Sequence, residues 1–349
     1  MPNKHIQTAD GIRGLALLIV VVLHATGLFF PSLHGALGGT AQLGVWLFFI
    51  LSSFLLTCKF IRSGFSFHGV TSYILGRILR IIPLFIMSVG IYYLCGMFDY
   101  DKFISIITFQ DTYIHLWTIP VEFSFYFILP VIAFASIKIK NAFGSTYSLI
   151  FLLLLVACSS CLFPYTDLSY NGMMVWYLPV FLYGMILAFL YASYEVKAKW
   201  WLSDTLCLLI VLTLLLMAPV PFSYITGADK NGWFTNKFVI LGPLLTAFIY
   251  LQICGGGVIN RLLNTSLMAK LGKFSFSIYL MHILIIFKIY PYHKNDISMY
   301  FLTIVLCFGI GVIGYYVVEG PMERLRHKLM GFFKNKEREY HSSSATAVK

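Results

Sequence analysis

The sequence predicts an all-α integral membrane protein in which about ten transmembrane helices form one bundle, with both termini in the cytoplasm. Hydrophobic residues make up 59% of the 349-residue chain and charged residues only 11%, whereas a soluble domain carries ~25% charged residues. Apolar runs of ~20 residues recur along the chain, and each is long enough to cross a ~30 Å hydrocarbon core. The basic residues are also distributed unevenly between the two predicted sides.

Ten apolar runs are separated by segments rich in turn and breaker residues. The runs cover residues 14–31, 42–60, 81–98, 117–137, 146–164, 173–193, 202–220, 237–254, 273–291 and 299–319. The first run is longer than the apolar core of a cleavable signal peptide, so we expect it to be retained as the first helix. We assign residues 1–333 to one transmembrane domain and predict that the polar tail over 334–349 is disordered.

The positive charges follow the positive-inside rule. Twenty of the 25 Lys and Arg residues fall in segments that this topology places in the cytoplasm, and five fall on the outer side. The net charge of +11 is therefore interpreted as a topology signal. The chain has no soluble surface for a basic patch, so nucleic acid is excluded as a partner and membrane lipid is expected. The seven cysteines lack metal-ligand spacing, and no metal site is predicted.

Among the ionisable residues inside the predicted spans three stand out, namely His24, Glu122 and His282. Each costs at least ~2.5–3.5 kcal/mol there, so each is a functional candidate. His24 lies 11 residues after Arg13, which raises it ~16 Å along the helix, and His282 lies ~14 Å beyond Lys273. Glu122 lies about one turn below the outer edge of the fourth run. The alternative is that each is a packed polar residue bonded to a neighbouring helix.

Two arginines lie at the predicted inner edge of the third run. Arg77 and Arg80 are three residues apart, so they share one face if the segment is helical. Guanidinium groups bind phosphate through a planar bidentate fork. Together with Arg13, the pair suits a phosphorylated ligand at the cytoplasmic surface. The alternative is routine anchoring under the positive-inside rule.

Six segments of the chain resemble the membrane-bound acyltransferase 3 family, in the order typical of that family. The segments are residues 10–16 (DGIRGLA) with His24, 44–56, 77–83 (RILRIIP), 115–122 (HLWTIPVE) with Phe125, Tyr126 and Pro130, 274–282 (FSFSIYLMH) and 318–321. Ser53 stands where the family usually has Gly, and Pro120 and Ser124 replace more typical residues. The resemblance is to members without an added extracytoplasmic esterase-like domain.

The resemblance implies a membrane-bound O-acyltransferase of the bacterial inner membrane. Such enzymes transfer an acyl group, usually acetyl, from cytoplasmic acyl-CoA to a hydroxyl of a glycan or lipid-linked glycan. Surface polysaccharide and lipopolysaccharide O-antigen are acceptors of this kind. Acetyl-CoA is then a co-substrate, and no bound cofactor is expected. The acyltransferase interpretation agrees with the residues, because inner-face arginines can hold CoA phosphates while a buried histidine removes a proton.

In this interpretation His24 is the general base, since an imidazole with an unperturbed pKa near ~6.5 can accept a hydroxyl proton. Glu122 or Asp10 orients His24 or balances its charge, with Glu122 nearer the acceptor. A covalent acyl-histidine is left open. Further substrate-binding positions complete the predicted site, and they are Arg13, Arg77, Arg80, Asp10, Trp117 and His282.

A secondary transporter of a small polar or anionic solute is the alternative function. Transporters also carry ionisable residues near the bilayer midplane, but they often show repeated halves and broken helices at matching positions. We find neither in the sequence, so acyl transfer is favoured.

Overall fold

The computed structural model describes residues 6–194, 198–227, 233–326 and 328–329, and these ranges are helical without a strand. The tail over 334–349 lies outside the described residues. The helices are α1 (Gln7–Phe29), α2 (Pro31–Leu37), α3 (Gln42–Ser63), α4 (Phe67–Leu94), α5 (Tyr100–Ile107), α6 (Thr118–Phe143), α7 (Ser145–Leu162), α8 (Met174–Ser193), α9 (Trp200–Leu216), α10 (Pro219–Thr226), α11 (Phe238–Cys254), α12 (Val258–Leu263), α13 (Ser266–Ile289) and α14 (Ile297–Gly314).

The predicted helical membrane class is confirmed. Eight helices in the described ranges are long and apolar enough to cross a membrane, and they include α1, α3, α4, α6, α7, α8, α13 and α14. The predicted run over 202–220 corresponds to α9 and α10, which meet at a 72° bend and form a ninth span if counted together. The run over 237–254 corresponds to α11, which is shorter. The count of ten spans and the orientation of the termini therefore stay predictions.

Glycines set the distance between α1 and α13, the two helices that carry the predicted histidines. A Cβ atom at Gly11 would collide with the carbonyl oxygen of Leu263, and one at Gly272 with that of Asp10. Gly14 faces Met268 in the same way. Small residues that let helix backbones approach closely are the usual means of association in membranes. The two helices begin at the same end of the bundle and run side by side in the same direction.

Close packing also joins α3 to its neighbours. A Cβ at Gly44 would collide with Ala16 on α1, and one at Gly184 on α8 would collide with the carbonyl oxygen of Ile50. Aromatic rings fill the centre, where Phe181 stacks on Phe49 at 4.5 Å between ring centroids and on Phe125 at 4.1 Å. Helices α1, α3, α6, α8 and α13 thus form a rigid frame around the polar residues.

Candidate active site

The contact between α1 and α13 brings two predicted residues together. Gly14 and Gly272 mark a level at which the two parallel helices meet. Ten residues further along each helix lie His24 and His282. His24 Nδ1 lies 3.0 Å from His282 Nε2, and the two imidazoles stack with an interplanar angle of 11°. The similar depths predicted for these histidines are therefore confirmed.

A hydrogen-bond chain sets the protonation pattern of this pair. His282 Nδ1 lies 2.6 Å from the backbone carbonyl of Tyr279. A carbonyl oxygen only accepts, so His282 Nδ1 must carry a proton, and in neutral His282 the Nε2 atom is then an acceptor. His24 Nδ1 consequently donates to His282, which leaves the lone pair on His24 Nε2. No hydrogen-bond partner for His24 Nε2 occurs among the described residues.

A third histidine packs against this pair. His115 lies in the 3₁₀ turn Ile114–Trp117 that leads into α6, and only 3% of its surface is exposed. Its ring stands at 71° to that of His282 with centroids 4.8 Å apart, and its Nε2 donates to the Leu280 carbonyl at 3.2 Å. Sequence reasoning missed His115 as an individual candidate, because the predicted run began at residue 117 and run edges carry errors of ~2–4 residues.

The backbone next to His115 is strained. Ile114 has φ of +44°, a left-handed conformation that a β-branched residue rarely adopts. Such strain costs on the order of 1–3 kcal/mol and is maintained only where the surrounding structure imposes it. The turn thus holds His115 in place at an energetic cost.

His24 and His115 face a cavity of about 390 Å³ that we call the histidine cavity. Its other polar side chains include those of His34, Gln42 and Thr235. Trp117 also lines it, with its ring stacked on that of Tyr177 at 4.7 Å. A flat aromatic surface beside a few polar groups is suited to binding an amphipathic ligand such as a sugar.

The opposite end of α1 faces a larger cavity of about 700 Å³, which we call the arginine cavity. Five basic side chains line it, namely Arg13, Arg80, Lys270, Lys273 and Arg326. Three acidic residues lie there too, and they are Asp10, Glu319 and Glu323. A π-helical turn over Tyr315–Glu319 forms part of this wall, and such turns occur frequently at functional sites. Sequence reasoning did not single out Lys270, Lys273 or Arg326.

The two predicted arginines, Arg77 and Arg80, both lie on helix α4, as expected. Their charges are available to bind an anionic ligand. Arg13 forms an ion pair with Asp10 at 3.3 Å. Within the described ranges neither Arg77 nor Arg80 has an ion-pair partner, and the buried Nε of Arg77 has no hydrogen-bond acceptor. The Arg77 guanidinium lies 5.7 Å from the centre of the Tyr126 ring. Guanidinium groups that form no direct ion pair are a means of attracting an anionic ligand.

A narrow central cavity of about 80 Å³ continues inward from the arginines. Arg13, Arg77 and Arg80 line one part of it, and Glu122 another. Tyr126 donates a short hydrogen bond to Glu122, and Ser52 lies 2.6 Å from the Tyr126 hydroxyl. Arg13 and Arg80 line the arginine cavity as well, so the two cavities adjoin.

Glu122, which was expected nearer the acceptor, lies on the arginine side of the bundle in the structure. Glu122 lies in the central cavity with the three arginines, and it does not line the histidine cavity. Asp10 pairs with Arg13 at the far end of α1. His282 instead makes the contact with His24 that was expected of a carboxylate. The depth of Glu122 along one helix could not show which neighbours its side chain would reach.

The geometry defines the class of protein, a polytopic α-helical membrane protein with two cavities at opposite ends of one helix pair. A family model described as an acyltransferase domain matches residues 6–318. The chain therefore belongs to the acyltransferase 3 family.

Curated relatives agree with this assignment at low identity. "Putative O-acetyltransferase SACOL0978" of Staphylococcus aureus (strain COL) is 23% identical over 92% of this chain and 58% of its own length. O-acetyltransferase OatA of Staphylococcus aureus (strain MRSA252) is 21% identical over 97% of this chain and 60% of its own. The chain thus spans about three fifths of the length of these relatives. No solved structure gives a significant match.

Proposed function

We propose that this protein transfers an acetyl group from acetyl-CoA, bound at the arginine cavity, to a hydroxyl of a glycan or lipid-linked glycan in the histidine cavity. The hydrogen-bond chain from the Tyr279 carbonyl through His282 to His24 carries the proposal. It leaves an imidazole lone pair on His24, beside a cavity that can hold an acceptor. The relatives whose names include O-acetyltransferase support acetyl as the group and oxygen as the acceptor atom.

Charge and size support the donor assignment. The nucleotide part of CoA carries several phosphate charges, and five basic side chains line the arginine cavity. Its volume of about 700 Å³ lies in the range of pockets that bind molecules of drug size. The central cavity of about 80 Å³ is too narrow for the nucleotide, and it suits only the thioester end of the pantetheine arm. Arg13 and His24 lie 11 residues apart on α1, ~16 Å along the helix axis, which the arm can bridge.

The proposed step is direct transfer. The acceptor hydroxyl gives its proton to His24 Nε2 while its oxygen attacks the thioester carbon. The tetrahedral intermediate collapses by breaking the carbon–sulfur bond, so the products are an acetyl ester and the CoA thiol, which takes the proton from His24. His282 accepts the hydrogen bond from His24 Nδ1 and stabilises the imidazolium that forms transiently. A sugar hydroxyl needs such a base, whose contribution is typically 10²–10⁴-fold in rate.

The proposed orientation puts the arginine cavity at the cytoplasmic face of a bacterial inner membrane. It rests on the positive-inside distribution of Lys and Arg. In that orientation acetyl-CoA binds from the cytoplasm, and the glycan acceptor from the opposite side. Both chain termini are then cytoplasmic.

Mass spectrometry of surface glycans tests the proposal. Glycans from host cells with the gene should carry an added mass of ~42 Da for each acetyl group. Cells without the gene, and cells expressing the His24→Gln variant at equal level, should lack it. Identical glycan masses in all three strains, together with purified protein that fails to bind acetyl-CoA, would reject acyl transfer.

A further inference from the structure

We propose that Val45 and Tyr279 form a partition between the donor and acceptor cavities, and that Val45 limits the length of the acyl group. The inference rests on the proposed function and adds a specificity-determining residue to it. Val45 belongs to α3 and Tyr279 to α13, so the partition is built from two helices of the rigid frame.

The positions of the two side chains identify the partition. The central cavity and the histidine cavity have only Val45 and Tyr279 in common among the residues that line them. The central cavity opens to the arginine cavity through Arg13 and Arg80. A donor that enters past the arginines and an acceptor activated by His24 must therefore meet where Val45 and Tyr279 stand.

Hydrogen bonds hold the Tyr279 ring across this position. Its hydroxyl donates to the His115 carbonyl at 2.8 Å and accepts from the Thr118 hydroxyl at 3.0 Å. Phe48 packs edge-on against the ring at 6.3 Å between centroids. Tyr279 is 7% exposed and Val45 is 5% exposed. Because both partners of the hydroxyl lie in the turn that precedes α6 or at its start, the ring is fixed to a third helix as well as its own.

Size then sets the acyl group that can bind. The central cavity has a volume of about 80 Å³ and ends at the partition. An acetyl group at the tip of the pantetheine arm adds one methyl group beyond the carbonyl, whereas a butyryl group adds a three-carbon chain directed at Val45. A well-packed pocket discriminates by ~10-fold or more for each methylene that it cannot hold. Shortening Val45 makes room for such a chain.

Binding of acyl-CoA to the purified protein in detergent tests the partition without requiring an acceptor. We expect the wild-type protein to bind acetyl-CoA more tightly than butyryl-CoA. In Val45→Ala the ratio of the two dissociation constants should fall by ~10-fold or more, because the butyryl chain gains space. Val89→Ala is the matched control, since Val89 is a fully buried valine on α4 that lines none of the three cavities. Its ratio should equal that of the wild type.

Tyr279→Phe provides a second, independent measurement. It keeps the ring but removes both hydrogen bonds of the hydroxyl, so water from the histidine cavity should reach the thioester. Release of CoA thiol from acetyl-CoA without any glycan should then rise at least several-fold, with acetate as the other product. If Val45→Ala folds, binds acetyl-CoA and keeps the wild-type ratio, the partition is overturned while the proposed function stands. Failure of every variant and the wild type to bind any acyl-CoA would overturn the proposed function itself.

Discussion

The two ends of the α1–α13 pair differ in the way they hold polar groups. At the arginine cavity, α1 supplies Arg13 and α13 supplies Lys273, and cationic groups outnumber carboxylates. At the histidine cavity, the same helices supply His24 and His282, and these groups are fixed by hydrogen bonds to each other and to a backbone carbonyl. Binding of a charged donor requires charge, whereas activation of a neutral hydroxyl requires one unoccupied lone pair. One helix pair provides both and fixes the distance between them.

The largest effect is expected for His24→Gln, which tests the end at which we propose that acyl transfer takes place. Glutamine keeps much of the hydrogen-bonding shape of histidine but cannot act as a base at neutral pH. Acetyl transfer to the glycan should fall 10²–10⁴-fold, as measured by the ester content of surface glycans at matched protein level. The dissociation constant for acetyl-CoA should stay within about 2-fold of the wild-type value, a limit far below the ~10-fold change that 1.4 kcal/mol produces. Wild-type ester content in this variant would exclude His24 as the base.

Substitution of His282 should have the next largest effect on acyl transfer, because in our proposal this residue acts only through His24. His282→Leu removes the acceptor for His24 Nδ1, so the lone pair no longer has to reside on Nε2. We expect transfer to fall roughly 10–100-fold, by analogy with the loss of a residue that hydrogen-bonds to a metal-ligating histidine. His282→Gln places a carbonyl oxygen near the lost Nε2 position.

The comparison of the two His282 variants separates positioning from packing. If the hydrogen bond matters, Gln should restore a substantial part of the rate and Leu should not, with acetyl-CoA binding unchanged in both. Equal losses in Leu and Gln, accompanied by equal losses of folded protein, would assign His282 a purely structural role.

Substitutions of the arginines should weaken the binding of acetyl-CoA and should not affect the chemical step. Arg77→Ala and Arg80→Ala remove guanidinium groups that lack an ion-pair partner in the part of the chain that the structure describes. Hydrogen bonds to charged groups contribute ~1.5–3 kcal/mol, so each variant should weaken acetyl-CoA binding ~10–100-fold. Lys at either position should restore only part of it, because a point charge loses the bidentate geometry.

Arg324→Ala is the control for the arginine variants. Arg324 is an exposed arginine near the same end that lines none of the three cavities. Titration with acetyl-CoA in detergent should give it a wild-type dissociation constant. Full donor affinity in the Arg77→Ala, Arg80→Ala double variant would show that the arginines serve only to anchor the helix at the membrane surface.

The sequence predicted those parts of the site that depend on position along a helix. The spacing of Arg13 and His24 places them at opposite ends of the polar region, and the similar depths predicted for His24 and His282 agree with their 3.0 Å contact. Helix depth follows from 1.5 Å per residue. It therefore requires no knowledge of the neighbouring helices.

Contacts between helices could not be predicted in the same way. Glu122 was expected near the acceptor, but its side chain reaches Tyr126 and the arginine side. Gly11 and Gly14 belong to the motif over residues 10–16, but the sequence does not show that they pack α1 against α12 and α13. The structure does. Rotation of a helix about its axis decides which neighbours a side chain meets, and a nearly uniformly apolar span carries little periodic signal for that rotation.

The smallest effect is expected for substitution of Ile114. At this residue the backbone strain can be tested separately from the packing of the side chain. Its φ of +44° is costly for isoleucine but not for glycine, and its side chain is 44% exposed, so little packing is lost. Glycine adds ~0.5–1 kcal/mol of backbone entropy cost, against strain of about 1–3 kcal/mol that it relieves. Ile114→Gly should therefore unfold at the same temperature as the wild type or a few degrees higher. Ile119→Gly, at a buried helical position with 2% exposure, should unfold at a lower temperature. A clear destabilisation of Ile114→Gly in detergent, comparable to that of Ile119→Gly, would show that Ile114 is not strained and that the turn holding His115 is stabilised by the isoleucine side chain.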